Sequence, residues 1–285
     1  MAVLIILLLL AAVFFLIIMA VDSRRFVIRR YSIESEKPER PVRIAFLSDM
    51  HQNEFGRDNE KLAAAVKDCH PDLVLVGGDM ITSSIAAQDK GDWMRPAISL
   101  LKELAAVCPV FCANGNHEQK LLEQEEFNAQ YEKYMKALSE AGAVCLHNQY
   151  AEACGIRILG LELPLETYRK GRPYILEEKE ITELAGKCGE DGFTVMIAHN
   201  PKYFPVYASW GADLVLSGHV HGGLMRLGRR GVISPDFRLF PKYSGGLYSE
   251  KESRMVLSCG IGTHTLPIRI FNPGEVSVID IVPKK

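Results

Sequence analysis

The sequence predicts an α/β fold, a four-layer αββα sandwich of two mixed sheets flanked by helices and preceded by one transmembrane helix. Three observations lead to this prediction. From Val42 onward, short apolar runs alternate with helical patterns, which is typical of parallel strands joined by right-handed crossovers. Carboxylate, imidazole and amide side chains follow five of these runs. Residues 2–21 form an uninterrupted apolar stretch.

The first half alternates strands with helices. Strands are predicted at 42–47, 72–76 and 109–113, and helices at about 59–69, 93–107 and 119–141. The run 72–76 is almost continuously apolar, as expected for a strand buried on both faces. The second half is richer in strands, predicted at 157–161, 194–198, 213–216, 254–258, 268–271 and 276–282, with one helix at about 177–187.

The apolar stretch at residues 2–21 contains no charge, no Pro and no Gly. As a helix, about 20 residues rise roughly 30 Å, the thickness of the hydrocarbon layer. No basic residue precedes the stretch, and Ile18-Met19-Ala20 is a poor cleavage signal, so an uncleaved membrane anchor over residues 1–22 is favoured over a signal peptide.

The residues after the anchor predict its orientation. Four arginines follow it directly: Arg24, Arg25, Arg29 and Arg30. The positive-inside rule therefore predicts a single-pass cell-membrane protein with a cytoplasmic catalytic part, an extracytoplasmic location being the alternative. The seven scattered cysteines agree, because an odd set is not a disulfide framework. Residues 23–41 are expected to be a basic juxtamembrane stretch and a polar spacer, with one domain at 42–285.

Eight side chains at predicted strand ends indicate a metal site. They are Asp49 and His51, Asp79, Asn116 and His117, His199, and His219 and His221. Because the carboxyl ends of strands in an α/β sheet open on one crevice, these side chains are expected to converge. Residues two apart in extended backbone point the same way, so each Asp-x-His or His-x-His pair should reach one ion. Mixed oxygen and nitrogen ligands suit two closely spaced transition metals.

These motifs resemble the calcineurin-like metallophosphoesterase superfamily, whose pattern is Asp-x-His, Gly-Asp, Gly-Asn-His-Glu, a lone His and Gly-His-x-His. The resemblance spans residues 42–282. Further motifs resemble a membrane-associated bacterial branch that includes hydrolases of a UDP-2,3-diacylglucosamine pyrophosphate bond. They are Asn200-Pro201, Gly222-Gly223, Gly260-Ile261-Gly262-Thr263 and Pro267-Ile268-Arg269.

The resemblance implies two divalent metal ions, with Mn, Fe or Zn all compatible, and a hydroxide bridging them that attacks phosphorus. The first ion would be held by Asp49, His51 and His221, with Asp79 bridging to the second. The second would be completed by Asn116, His199 and His219. His117 would bind no metal and would act on the leaving-group oxygen, a contribution of about 10²–10⁴-fold. Glu118 is expected to be a solvated loop carboxylate, with orientation of His117 as the alternative.

Two segments are expected to contact the substrate. The stretch 222–248 has the composition of a loop and carries five basic residues against one acidic residue; its Arg226 is a candidate substrate ligand, as is His264 in the Gly-rich loop. This basic stretch would grip an anionic head group or face anionic lipid, the alternative being an ordinary surface loop. Residues 163–174 are expected to form a second wall or lid, again with a surface loop as the alternative.

The expected function is a membrane-anchored, metal-dependent phosphoesterase acting on a phosphodiester, pyrophosphate or phosphomonoester. The anchor favours a membrane lipid or nucleotide-linked lipid as substrate. The resemblance disfavours phosphoprotein substrates, because the protein Ser/Thr phosphatases of the superfamily carry an Asp-Arg-Gly extension after the Gly-Asp motif. Here Met80 follows Asp79 instead of an Arg. The alternatives are a non-catalytic metal-binding scaffold on the same fold, which has no need of His117, and a nuclease. Nucleic acid is not indicated as a partner, because the net charge is -2 and no basic, aromatic-rich groove is evident.

Overall fold

Two mixed sheets form in the part of the chain that the computed structural model describes, residues 1–169, 171, 174–189, 191–235, 237–263 and 268–284. The first sheet has six strands, in spatial order β1 (Phe26–Ser35), β14 (Gly274–Pro283), β2 (Val42–Leu47), β3 (Leu73–Val76), β4 (Val110–Cys112) and β5 (Ala143–Cys145). The second has β12 (Gly246–Glu250), β13 (Ser253–Leu257), β9 (Leu214–Ser217), β8 (Phe193–Ala198), β7 (Ile156–Leu161) and β6 (Gln149–Ala153). A small antiparallel pair consists of β10 (Met225–Leu227) and β11 (Arg230–Ile233).

Four consecutive parallel strands form the larger part of each large sheet. β2 to β5 run parallel in the first, and β7, β8, β9 and β13 run parallel in the second. Helices connect and cover them: α1 (Ala2–Asp22), α2 (Glu60–Lys67), α3 (Ser83–Ala86), α4 (Arg95–Ala105), α5 (Asn116–Glu123), α6 (Asn128–Glu140), α7 (Glu178–Ala185) and α8 (Phe204–Trp210). The carboxyl ends of the parallel strands therefore open on one side of the molecule.

Alternation along β2 shows how the layers are built. Ile44 and Phe46 point into the core between the two sheets, whereas Ala45 and Leu47 point toward α2, α4 and α6. All four are fully buried, as expected for a strand covered on both faces. The outer face of the second sheet is covered in the same way by α7 and α8. The predicted αββα sandwich is confirmed.

Three local expectations are wrong. Residues 26–35 are not a spacer but strand β1, which pairs in parallel with β14 over its whole length. The helix expected at 119–141 is two helices, because Gln124 is extended and a 3₁₀ turn at Glu125–Phe127 redirects the chain so that α6 packs on the first sheet. The strand expected at 268–271 is reduced to one bridge, between Ile270 and Met225.

The N-terminal helix α1 is long and apolar enough to cross a membrane by length and composition, with a mean hydropathy of 3.5 over its most apolar window. Its last residue, Asp22, is buried against the domain. The Asp22 carboxylate accepts hydrogen bonds from the Arg25 side chain and from the backbone N–H of Asn272, both at 2.9 Å. The end of the apolar helix is therefore joined firmly to the folded part.

Candidate metal centre

Loops from both sheets bring the predicted side chains into one crevice. Asp49 and His51 follow β2, Asp79 follows β3, and Asn116 and His117 open α5 after β4. From the second sheet, His199 follows β8, and His219 and His221 follow β9. The crevice therefore lies where the two sheets meet at their carboxyl ends.

The backbone of this site is not extended. Five of the eight residues have left-handed φ values: Asp49 (54°), His51 (48°), Asp79 (51°), His219 (73°) and His221 (52°). The expectation of extended backbone is therefore wrong. The expectation that His219 and His221 reach one ion is also wrong, because their ligand atoms lie in different groups. Left-handed backbone costs non-glycine residues of order 1–3 kcal/mol each and persists where the surroundings enforce it. Here the N–H of Asp49 donates to Gly78 O and that of His51 to Asp79 O.

The loops after β3 and β4 touch each other at two glycines. A Cβ atom on Gly78 would lie 2.0 Å from the backbone nitrogen of Gly115, and one on Gly115 would lie 2.3 Å from Asp79 Oδ1. Gly78 also has a φ of +84°. Because no side chain fits at either position, the two glycines allow Asp79 and Asn116 to approach closely.

Three groups of side chains have ligand atoms close enough to share an ion; two consist of expected ligands, and the third is His51, Asp79 and His117. In the first group the atoms of Asp49, His51 and His221 lie within 4.8 Å of one another, and the Nε2 atoms of the two histidines are 3.3 Å apart. The second consists of Asp79, His199 and His219, with His199 Nε2 3.1 Å from Asp79 Oδ2. Asp79 Oδ2 is also 3.9 Å from His51 Nε2, so this carboxylate lies between the groups.

Two buried acceptor atoms fit a bound cation. Among the described residues, Asn116 Oδ1 and His199 Nε2 have no hydrogen-bond partner. The other ring nitrogen of His199, Nδ1, lies 2.6 Å from Gly77 O and donates to it, so Nε2 carries a lone pair whenever the ring is neutral. Burying such atoms without a partner is costly, about 1–3 kcal/mol each. Carboxylate, amide and imidazole ligands fit Mn, Fe or Zn.

The charges in the site favour a positive charge beside Asp79, either a proton on His199 Nε2 or a metal ion in its place. Burial lowers the pKa of His199, but the charge of Asp79 outweighs burial and raises the pKa to about 10. Burial raises the pKa of Asp79, yet the neighbouring histidines His199 and His117 hold it well below its usual range. Burial, together with the charge of His199, lowers the pKa of His219 to about 3, so this ring is a neutral ligand.

Glu118 is buried, so the expectation of a solvated carboxylate is wrong. Its oxygens accept hydrogen bonds from the backbone N–H groups of Asp79 (2.8 Å), Met80 (2.9 Å) and Gly115 (3.0 Å). Burial and the nearby charge of Asp79 raise the pKa of Glu118 to about 7. Glu118 therefore ties the loop after β3 to the start of α5.

Replacing Glu118 by Ala is expected to lower the free energy of unfolding by about 3 kcal/mol, because three buried N–H groups lose their acceptor. For a domain of this size that corresponds to a Tm lower by roughly 6–12 °C. Thermal unfolding of the full chain in detergent micelles measures the change. Glu132→Ala, which removes an exposed carboxylate from α6, is the control. Equal Tm values for the two variants would contradict the role given to Glu118.

His117 is held with a defined proton position. The backbone N–H of Ser83 donates to His117 Nδ1 at 3.0 Å, so the ring proton of the neutral imidazole resides on Nε2. The backbone N–H of His117 donates in turn to Asp79 Oδ1 at 2.8 Å. Burial lowers the pKa of the His117 ring. The ring is therefore neutral near pH 7 and presents Nε2–H as a donor.

A cleft of about 1080 Å³ opens above the site. Residues 165–169 form one wall of it, as expected for the segment 163–174, and the ring of Tyr168 lies 5.1 Å from that of His219. Basic side chains line the cleft: Lys120, Arg169, Lys202, Arg238, Lys242 and the buried Arg269. Sequence reasoning did not single out Lys120, Arg169 or Lys202. Lys120 and Lys202 each lie three residues after a site histidine, and Arg169 lies in the expected wall segment 163–174.

Arg226 was expected to contact substrate, but it does not line this cleft. It is 2% exposed, and its guanidinium donates to four backbone carbonyls, those of Gly222, Arg229, Ser244 and Gly245. These bonds hold the chain after β9 in place, because four carbonyls share one buried cation. His264 lies outside the described residues.

Comparison with known proteins agrees with this geometry. Residues 42–223 match the calcineurin-like phosphoesterase family. An uncharacterised metallophosphoesterase of Helicobacter pylori is 25% identical over 261 residues, 90% of this chain and 64% of that protein, so the chain spans less than two thirds of this relative. YkuE of Bacillus subtilis, also an uncharacterised metallophosphoesterase, is 24% identical over 84% of this chain and 78% of its own length.

Among solved structures, TT1561 of Thermus thermophilus is similar over 76% of this chain and 88% of its own, with 12% identity and a TM-score of 0.44. The family match covers the strands from β2 to β9 and the motifs from Asp49 to His221. The expected superfamily is confirmed. The chain belongs to the calcineurin-like phosphoesterase family.

Proposed function

We propose that this chain is a membrane-anchored phosphoesterase that uses two divalent metal ions to hydrolyse a phosphodiester, pyrophosphate or phosphomonoester of a lipid-linked substrate. The observation that carries the proposal is the pair of three-residue groups, of which the second contains Asp79, whose Oδ2 also lies 3.9 Å from His51 of the first. The unpartnered Asn116 Oδ1 and His199 Nε2 support it, because a bound cation would satisfy both.

The first ion would be held by Asp49, His51 and His221, and the second by Asn116, His199 and His219, with Asp79 shared. When bound, such an ion pair polarises the phosphoryl oxygens and lowers the pKa of a coordinated water. Asp79 can serve both positions because Oδ2 faces His199 and His51, while Oδ1 is occupied by the backbone N–H of His117. This division of its two oxygens fixes the orientation of the carboxylate.

His117 would act on the leaving-group oxygen as a neutral donor. Protonating Nδ1 would place two N–H groups face to face, because the Ser83 backbone already donates there. A doubly protonated ring is therefore disfavoured, and Nε2–H is the group that stabilises negative charge as the ester bond breaks. Glu118 acts only through the backbone, by holding Asp79 and the start of α5 together.

The cleft favours a substrate larger than a simple phosphate. Its volume of about 1080 Å³ is at the upper end of small-ligand sites. The exposed lysine and arginine side chains on its walls would bind the phosphates or other anionic parts of a head group. The apolar helix α1 supports the lipid-linked class and a cell-membrane location, and the four arginines after it favour a cytoplasmic catalytic domain.

Hydrolysis of bis-p-nitrophenyl phosphate and p-nitrophenyl phosphate by the full chain in detergent tests the proposal. The full chain is required because a truncation at residue 41 removes β1 from the first sheet. We expect turnover that depends on added Mn²⁺, is abolished by a chelator and returns when metal is restored, with about two ions bound per chain. Turnover that persists in the chelator after the ions are removed would contradict the metal-dependent mechanism. A chain that binds no metal would contradict the whole proposal.

A further inference from the structure

A group of large apolar side chains lies exposed near the cleft. Leu227, Phe237, Leu239 and Phe240 are 73%, 69%, 68% and 69% exposed, and Phe271 is 41% exposed. A folded domain rarely leaves several phenylalanines and leucines of one region in water without a partner. We call these five residues the apolar rim.

The rim belongs to one structural unit. β10 pairs with β11, Leu239 bridges Ile233 at the end of β11, and Ile270 bridges Met225 at the start of β10. Phe271 directly follows Ile270. The five rim residues are therefore carried by a single small sheet rather than scattered over the surface.

This small sheet reaches along the apolar helix. The ring of Phe271 lies 6.4 Å from that of Phe14 and 6.5 Å from that of Phe15, in the middle of α1. Phe15 precedes Val21, the last apolar residue of the run, by about 9 Å of helix. The apolar run is only as long as the hydrocarbon layer is thick, so Phe14 and Phe15 lie inside that layer when α1 spans it. Phe271, which contacts them, then lies below the membrane surface.

Hydrogen bonds at the end of α1 fix the position of this helix relative to the rim. Asp22 accepts a hydrogen bond from the Asn272 backbone, and the Asn272 side chain donates to the carbonyls of His221 and Gly223, both at 2.8 Å. Asn272, which directly follows the rim residue Phe271, therefore links the end of α1 to the backbone of the candidate metal ligand His221. The domain cannot lift the rim away from the bilayer without breaking these bonds.

Charge around the rim suits the same location. Arg229, Arg230, Arg238 and Lys242 are exposed or half-buried on the segments that carry the rim. Basic side chains beside exposed aromatic residues are typical of surfaces that sit among anionic lipid head groups. Their long stems allow the charges to stay in the head-group layer while the rim lies deeper.

We infer that the apolar rim is a second membrane contact, inserted into the head-group and upper acyl region of the bilayer that α1 spans; this rests on the membrane anchorage proposed above. The consequence concerns the substrate. Pro235, Arg238, Lys242 and Ile268 of the same region line the cleft, so the cleft opens at the membrane surface. A lipid-linked phosphate ester reaches the metal centre while its acyl chains remain in the bilayer.

Fluorescence quenching of the full chain in vesicles tests the inference. The vesicles contain anionic phosphatidylglycerol and phosphatidylcholine brominated on its acyl chains, and the variants are Phe237→Trp and Phe240→Trp. The native Trp93 and Trp210 are buried in the domain, at 4% and 5% exposure, and form a constant background. We expect a blue shift and a loss of emission for both variants. Val107→Trp, an exposed position after α4, is the control and keeps its emission.

The outcomes separate the proposals. If the chain floats with vesicles but Phe240→Trp is quenched no more than Val107→Trp, the rim is not a membrane contact, and the anchor stands. If the chain does not float with vesicles, both the anchor and the rim are wrong, and metal-dependent hydrolysis of a soluble ester stands alone. A further variant, Phe237→Ser with Phe240→Ser, is expected to lower turnover of a vesicle-borne phosphate ester relative to turnover of bis-p-nitrophenyl phosphate. An unchanged ratio would count against the rim.

Discussion

Replacing Asp79 by Asn is expected to lower kcat by about 10³-fold or more, because the carboxylate that faces both groups of ligands loses its charge. The amide oxygen of Asn can still accept the backbone N–H of His117, which Asp79 Oδ1 now accepts at 2.8 Å. The fold should therefore survive while the metal centre fails. Turnover of bis-p-nitrophenyl phosphate and bound metal per chain, measured by mass spectrometry, are the readouts.

The matched control is Asp68→Asn, which neutralises a carboxylate outside the site, at the end of α2. Its metal content and turnover should equal those of the unchanged chain. Because Asp79 lies 3.1 Å from His199 and 3.9 Å from His51, we expect its replacement to weaken both positions rather than one. Full metal content with nearly normal turnover would show that Asp79 is not the shared ligand.

Replacing His117 by Ala is expected to lower kcat by about 10²–10³-fold with bound metal unchanged, because the Nε2–H donor is lost and no ligand is removed. The loss should be larger for an alkyl leaving group than for p-nitrophenolate, which needs little stabilisation as it departs. Steady-state kinetics on the two ester types and metal analysis measure these effects. A loss of one ion per chain would instead make His117 a ligand, as its proximity to His51 and Asp79 allows.

Ser83→Ala is the control for the proton position on His117. The backbone N–H of residue 83 remains in this variant and still donates to Nδ1, although the hydroxyl, 2.9 Å from Nδ1, is removed. The tautomer is therefore kept, and kcat should fall by less than about 10-fold. A loss as large as that of His117→Ala would mean that the hydroxyl, rather than the backbone, orients the ring.

The sequence predicted the layers of the fold and the strand ends that carry the candidate ligands. Periodicity and residue type suffice for this, because strands such as β3 are apolar along their whole length and polar residues appear only where they end. The sequence did not predict the edges of the sheets. β1 mixes apolar with charged and polar residues and is partly exposed, so it is not recognised as a strand until its pairing with β14, some 250 residues away, is known.

The sequence did not predict the backbone conformation of the site either. Asp49 and His51 adopt left-handed backbone that neither residue prefers, and it is held by bonds to Gly78 and Asp79 of another loop. Glu118 resembles a loop carboxylate because charged and polar residues surround it in sequence. Its burial depends on backbone N–H groups that lie almost 40 residues earlier.

By itself, the sequence determined which residue types stand at five strand ends, that a 20-residue apolar run precedes them, and through its motifs the phosphoesterase family. Only the tertiary structure decided that Glu118 is buried, that Arg226 is buried away from the cleft, and that Phe271 lies along α1 beside the opening of the cleft. The physical reason is the sequence separation over which each property is determined. Side-chain type and hydrophobic period are local properties, whereas burial and backbone strain are set by segments far apart in the chain, such as Asp22 and Asn272.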